Sequence, residues 1–326
     1  MASAVRARVP LEVLIRRPQQ LYLAEAVHYH GSAMLTRRRF LRNAAALLPA
    51  AAVASQNARA GASIPLGVQL YTVRRQAQQN LPQVLDQIRH IGYQEVETCA
   101  DNYTFSADAL RHMIVDAGLR VPSGHFNYED FASRFNYASE LGLEWMVCPM
   151  IPQSMWGSAD AFRTAAKQFN DWAKSAKDLG MRFAFHNHDY EFAPLQPEPA
   201  ATDASAKLTG YDVLIENTDP ELVFFEVDCY WVAQAGLDPV RVMERLGPRL
   251  RMLHLKDRAP GSPPSFVLDA TAAHFVPVGR GTLDWMAILS EGKHLAVEHY
   301  FVEQDETRGS PVDALRQSYR YLRTLS

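Results

Sequence analysis

Between Phe183 and Phe192 the chain reads FAFHNHDYEF. An apolar run ends in His186, Asn187, His188 and Asp189, so two imidazoles, an amide and a carboxylate occupy four consecutive positions. That is more coordinating and proton-transferring chemistry than a turn needs. Other apolar runs end similarly: one at Glu97, one at His125, one at Asp228, one at His254 with Lys256 and Asp257, one at Glu298 and His299. Imidazole nitrogens from His186 and His254, with carboxylate oxygens from Asp228 and Glu298, make a mixed ligand set. Such a set suits Mn²⁺, Zn²⁺, Fe²⁺ or Co²⁺ better than Ca²⁺. With positions left open, a cation held this way can chelate a hydroxyl and a carbonyl of a substrate and act as a Lewis acid. Each residue also has a plainer use. Asp228 or Glu97 can cap a helix or pair with an arginine, His125 can bond a loop, and Lys256 can pair with Asp257 or Arg258. The joint pattern is what points to one divalent metal ion.

The elements that would position these groups alternate. Short apolar runs at 64–74, 93–100, 120–126, 144–151, 182–188, 222–232, 250–257 and 293–300 read as strands. Amphipathic segments at 81–92, 106–119, 130–141, 158–179, 239–246, 284–291 and 313–325 read as helices, several closed by glycine (Gly92, Gly180). Eight strands alternating with helices call for a parallel sheet, and eight is the number that closes a barrel. A single (β/α)8 TIM barrel over residues 61–326 is therefore expected, with every strand end named above opening on one mouth. A doubly wound sheet is the alternative, but LYTVRR follows the first strand where a glycine-rich phosphate loop would stand. Gly279 and Gly281 flank Arg280 in a G-x-G, but it precedes the seventh helix after a loop and is a weak dinucleotide signal. Proline-, alanine- and serine-rich stretches at 191–206 and 259–275 follow strands five and seven, on the face where barrel enzymes keep their working loops.

Residues 1–60 are of another kind. Arg37, Arg38 and Arg39 precede Phe40 and Leu41, an Ala/Leu run from 44 to 54, and an A-x-A at 58–60. The run is too short for a stable membrane span. It resembles a twin-arginine export signal, implying a start at Met34 and an exported, periplasmic barrel. These 60 residues hold nine arginines against two glutamates; the remaining 266 carry 24 basic and 34 acidic residues. An acidic domain is a poor partner for phosphate backbones, so no nucleic acid is expected. Cys99, Cys148 and Cys229 are far apart and read as buried free thiols.

GVQLYTVR, FHNHDYEF, ENTDPELVFFEVDCYWV, MLHLKD, VGRGTLDW and AVEHY together resemble the xylose isomerase-like TIM barrels, grouped as sugar phosphate isomerases/epimerases. That resemblance implies His186, Asp228, His254 and Glu298 as metal ligands, with His188 the rival of His186. It implies enolisation of a keto-sugar or polyol, with Glu298, Lys256 and His188 moving protons. Glu97, His125, Trp231 and Arg280 are expected to bind the carbohydrate, with Trp156 and Tyr230 offering further rings. Ketose epimerases of this kind place a glutamate at the ends of both strands five and eight; here strand five carries His186. A one-sided arrangement suits proton abstraction followed by loss of a β-substituent, as in inosose dehydratases, or on 3-keto-glycosides. Isomerase/epimerase chemistry is the first expectation and β-eliminating lyase or dehydratase the second. A DNA-repair endonuclease and a non-catalytic sugar-binding protein rank lower. A homo-oligomer stays open.

Overall fold

A computed structural model of the protein describes residues 64–195, 208–271 and 274–325. The leader, its proposed start at Met34 and residues 196–206 of the first loop lie outside the described residues. Eight parallel strands close a barrel: β1 (Leu66–Gln69), β2 (Glu95–Thr98), β3 (Arg120–His125), β4 (Trp145–Cys148), β5 (Arg182–His186), β6 (Val223–Asp228), β7 (Leu250–Leu255) and β10 (His299–Val302). Their order around the barrel is β1-β10-β7-β6-β5-β4-β3-β2. The two remaining strands, β8 (Asp257–Arg258) and β9 (Phe275–Val276), form a small antiparallel ribbon after β7. Among the described residues no helix is long and apolar enough to cross a membrane.

Local chemistry sets the helix ends. Ser106, Ser158 and Ser310 accept backbone N–H groups at the starts of helices Ala107–Asp116, Ala159–Asp178 and Pro311–Leu322. Asn80 breaks helical geometry and its Oδ1 accepts from Gln83 N at 3.2 Å, so Pro82 falls in the first turn after that break, where it does no harm. Gly92, at φ 121°, then ends the helix.

Three strand boundaries matter among those that differ from expectation. The first strand, expected to run to residue 74, ends at Gln69, and a 3-10 turn leads into helix Arg74–Ile91. The sixth strand stops at Asp228, whose Oδ1 accepts from Trp231 N at 3.0 Å and starts helix Cys229–Gln234. The apolar run at 293–300, read as the eighth strand, begins instead with the end of helix Trp285–His294. A turn through Ala296, at φ 56°, follows, and the strand starts only at His299. This shift of register moves Glu298 from the strand's carboxyl end to its entrance.

Inside the barrel, side chains stack in layers, as two-residue alternation requires. Trp145, Val147, Ala184, Met252 and Phe301 form an apolar plug, separate from the larger core between strands and helices. A Cβ on Gly67 would lie 2.5 Å from the Phe301 ring, so Gly67→Val is expected to destabilise the barrel by about 1–3 kcal/mol. A denaturant midpoint unchanged from wild type would contradict that reading of the plug. The three cysteines are buried and free.

Candidate active site

Above the apolar plug the same alternation turns polar. Glu226 and Asp228 are two apart on β6 and both point inward; so do His254 and Lys256 around the end of β7. The result is two tiers of ionisable groups at the carboxyl end of the barrel. In the lower tier Glu226 Oε2 faces His125 Nε2 at 2.8 Å, His186 Nδ1 at 3.0 Å and His254 Nε2 at 3.2 Å. Glu97 Oε2 meets His254 Nε2 at 2.7 Å and accepts from Gln69 Nε2 at 2.8 Å, while Ser123 Oγ donates to its other oxygen. In the upper tier Glu303 Oε2 lies 2.9 Å from His254 Nδ1 and 2.7 Å from Lys256 Nζ. Lys256 Nζ also lies 2.9 Å from Asp228 Oδ2 and 2.7 Å from Asp305 Oδ1. His186 Nε2 and His254 Nδ1 are each 3.9 Å from that Asp228 oxygen.

Burial controls the charges. Taken alone it would discharge His254, but the Glu226 and Glu303 carboxylates hold the imidazole well above its ordinary range. Lys256 is likewise held well above the usual amine value, against its burial, by Asp228, Asp305 and Glu303. Burial pushes Asp305 up to about 7, against the pull of Lys256. His188 goes the other way: burial, then the neighbouring His186 and Lys256, hold its imidazole in the neutral form. Its Nδ1 is buried and makes no hydrogen bond within the described residues.

The donor set fits a divalent cation. Asp228, His254 and Glu303 bring ligand atoms together in the upper tier closely enough to hold an ion, and His186 Nε2 stands at its edge, 3.9 Å from the Asp228 oxygen. The opposite nitrogen of each imidazole is tied to a lower-tier carboxylate, Glu226 for His186 and Glu97 with Glu226 for His254. Carboxylate behind imidazole is how metal-bound histidines are oriented and made more basic. Asp228 Oδ2, though beside Lys256, is buried without a well-directed hydrogen bond, leaving its lone pairs for a cation. His125, His186, Glu226 and His254 form a second group close enough to hold an ion.

The expected residues fare unequally. His125, His186, His188, Trp231 and Lys256 line one cavity of about 260 Å³ at the mouth, with Glu303 and Asp305. Asp228, His254 and Glu97 lie buried beneath it. Glu97 is spent on Gln69, Ser123, His125 and His254, so it supports the cluster and does not line the cavity. Trp231 packs against His188, with ring centroids 5.3 Å apart. Lys256 pairs with neither Asp257 nor Arg258. Instead the Asp257 carboxylate binds the N–H groups of Gly279 and Gly281 and Trp285 Nε1, pinning the glycine turn. Arg280, on that turn, is exposed and does not line the cavity, contrary to the substrate contact expected of it. Glu298 is the clear correction. It sits at the barrel's amino end, clamped by Arg182 at 3.0 and 2.8 Å and near Arg251 at 3.3 Å, across the barrel from the metal-type cluster. The carboxylate that β10 delivers to the mouth is Glu303. Glu226, Glu303 and Asp305 went unremarked in the sequence; counting back two from Asp228 finds the first.

The turn carrying His188 rests on Glu191, which is fully buried and accepts His188 N–H at 3.0 Å. Burial pushes the Glu191 carboxyl from 4.5 up to about 8. The folded state therefore prefers the protonated form. Stability from this group is fully present below pH 4.5 and is lost as pH rises towards 8, at up to roughly 1.4 kcal/mol per pH unit. Glu191→Gln should flatten that slope and melt higher than wild type at pH 9; parallel melting curves from pH 5 to 9 would contradict it.

Comparison with known proteins agrees with this fold. The profile of one family, the xylose isomerase-like TIM barrels, matches residues 85–325. The chain belongs to that family. Among curated relatives of this xylose isomerase-like barrel is an inosose dehydratase of Mesomycoplasma hyopneumoniae (strain 7448). It is 22% identical over 274 residues, covering 74% of this chain and 87% of the relative. A sugar phosphate isomerase/epimerase from Parabacteroides distasonis ATCC 8503 superposes with TM-score 0.66 at 23% identity, over 80% of this chain and 94% of that one. The IolI protein, solved with a bound zinc atom, superposes with TM-score 0.60 at 15% identity, over 81% and 98%.

Proposed function

We propose that this xylose isomerase-like barrel is a divalent-metal-dependent enzyme that removes a proton next to the carbonyl of a keto-sugar or related polyol. The observation that carries the reading is the upper tier: Asp228, His254 and Glu303 stand close enough to hold an ion, His186 Nε2 lies 3.9 Å from the Asp228 oxygen, and both imidazoles are backed by buried carboxylates below an open cavity. His186, Asp228, His254 and Glu303 would hold the ion. When bound, it supplies Lewis-acid polarisation of the substrate carbonyl. A zinc-bound structural neighbour, and relatives named as epimerases and inosose dehydratases, are consistent with that chemistry.

The chain's own groups then divide the work. His188, neutral and with Nδ1 unpaired, takes the proton from the carbon next to the carbonyl, and the C–H electron pair forms the enolate double bond. The Lys256 ammonium, carried among three carboxylates, stabilises the charge arriving on oxygen. Trp231 closes one wall, beside both His188 and Lys256. Moving the neighbouring hydroxyl proton to the enolate oxygen, and returning the carbon proton from His188 to the former carbonyl carbon, completes an isomerisation.

A second outcome is favoured by one feature. The end of β5 offers an imidazole engaged through Nδ1 with Glu226, where a two-base epimerase needs a free carboxylate. With one base and one ammonium, the enolate can instead expel a β-hydroxyl, which leaves as water with a proton from Lys256. Both outcomes share the first step. Incubating the metal-loaded protein with inososes and keto-hexoses in D₂O should wash deuterium into the position next to the carbonyl. His188→Ala should slow that exchange at least about 100-fold. Exchange at the wild-type rate in the variant would remove His188 from the role.

We also propose export through residues 34–60. Fusing that segment to a folded reporter should carry it out of the cytoplasm, and Arg38→Lys with Arg39→Lys should retain it.

A further inference from the structure

Beside the cavity over the cluster lies a second, of about 310 Å³, and the two share Asn127, Pro149, Met150 and Leu268 along their common edge. Trp156 lines only the second. Its indole is fixed twice: one face stacks on Tyr190, ring centroids 3.7 Å apart and 9° from parallel, and Nε1 donates to Ile151 O at 3.1 Å. An aromatic wall held in place before any ligand arrives gives up little entropy on binding. Among the described residues no lysine, arginine or histidine lines this second cavity, and Glu129 does, so the lining is unsuited to a phosphate. Apolar side chains are left open to solvent around it: Met150 is 38% and Val267 76% exposed.

The loop after β8 supplies one rim, and it is held under strain. Leu268 sits at φ 54°, a conformation that costs a non-glycine residue free energy and persists only where its surroundings impose it. Here both oxygens of Asp189 accept its N–H, at 3.0 and 3.2 Å. That tie, made from the turn that also carries His188, sets Leu268 at the junction of the two cavities and Val267 on the rim of the second.

We infer that the second cavity is a substrate subsite for an apolar ring attached to the sugar held in the first, so the substrate is a ring-bearing keto-glycoside and not a free monosaccharide. This rests on the function proposed above and narrows its substrate class. A sugar at the catalytic cluster places its substituent across the shared edge, and the ring then lies against Trp156, Met150 and Val267. Burying one ring there should contribute about tenfold in affinity.

The test is calorimetric titration of the full chain with phenyl and methyl glucopyranosides, both anomers of each. The phenyl compound of one anomeric pair should bind about tenfold tighter than its methyl partner. Trp156→Ala should reduce that ratio to near one. Val267→Asp, at a position too exposed to affect folding, should do the same by placing a charge on the rim. Equal phenyl and methyl affinities in the wild type, a ratio that survives both substitutions, or no measurable binding of any glycoside would overturn the subsite. Failure of the enolisation reading has a different signature: deuterium exchange absent while the phenyl preference stands.

Discussion

Glu303→Gln is expected to cost the protein its metal, lowering affinity for Zn²⁺ or Mn²⁺ at least about 100-fold, while Glu298→Gln leaves metal affinity as it was. The two glutamates stand five residues apart at opposite ends of one short strand. Glu303 Oε2 touches His254 and Lys256 in the upper tier; Glu298 is held by arginines at the barrel's entrance. Removing the Glu303 charge takes away a ligand and one of the three carboxylates nearest each of Lys256 and His254. Removing that of Glu298 loosens a half-exposed clamp, which should lower stability by no more than about 1 kcal/mol. Metal titration of the two variants side by side decides it. Loss of metal from Glu298→Gln alone would move the site to the wrong end of the barrel.

Lys256→Met should be the most damaging single change to stability near the site, at about 3–5 kcal/mol in metal-free protein. Three carboxylates, from Asp228, Glu303 and Asp305, converge on this ammonium with little solvent to spread their charge. Without it they repel, and the fold must either give way or take up protons. Two consequences separate this from a packing defect. Lowering the pH should narrow the gap to wild type, because carboxylates pushed up by the missing cation protonate first. Added divalent metal should narrow it too, by supplying positive charge at the same oxygens. Denaturation curves at pH 5 and 8, with and without Zn²⁺, provide the check; a loss of stability independent of both would point to lost packing.

The barrel was legible because its signal is repetitive: eight apolar runs, each followed by an amphipathic segment, admit few closed arrangements. The ends of β3, β5 and β7 were legible for a related reason, since imidazoles that stop an apolar run are conspicuous. Glu303 was not, and the cause is local. Leu295, Ala296 and Val297 look like the beginning of a buried strand, but they form the turn after helix Trp285–His294, with Ala296 in the left-handed region. That shift carried Glu298 into the mouth on paper and left Glu303 in what read as loop. Glu226 was hidden differently. It sits among the phenylalanines and valines of β6, where a charge looks misplaced until three imidazoles from other strands surround it. No local pattern announces such a group, because its partners are distant in sequence: His254 is 28 residues away, His186 40 and His125 101.

The central claim is a single divalent ion at the upper tier, and the most direct test is crystallographic. Crystals grown with Zn²⁺ or Mn²⁺ should show one anomalous peak at the metal's absorption edge. It should lie about 2.0–2.3 Å from nitrogens of His186 and His254 and oxygens of Asp228 and Glu303. A peak held by Glu298, or no peak at the barrel mouth under saturating metal, would contradict the account.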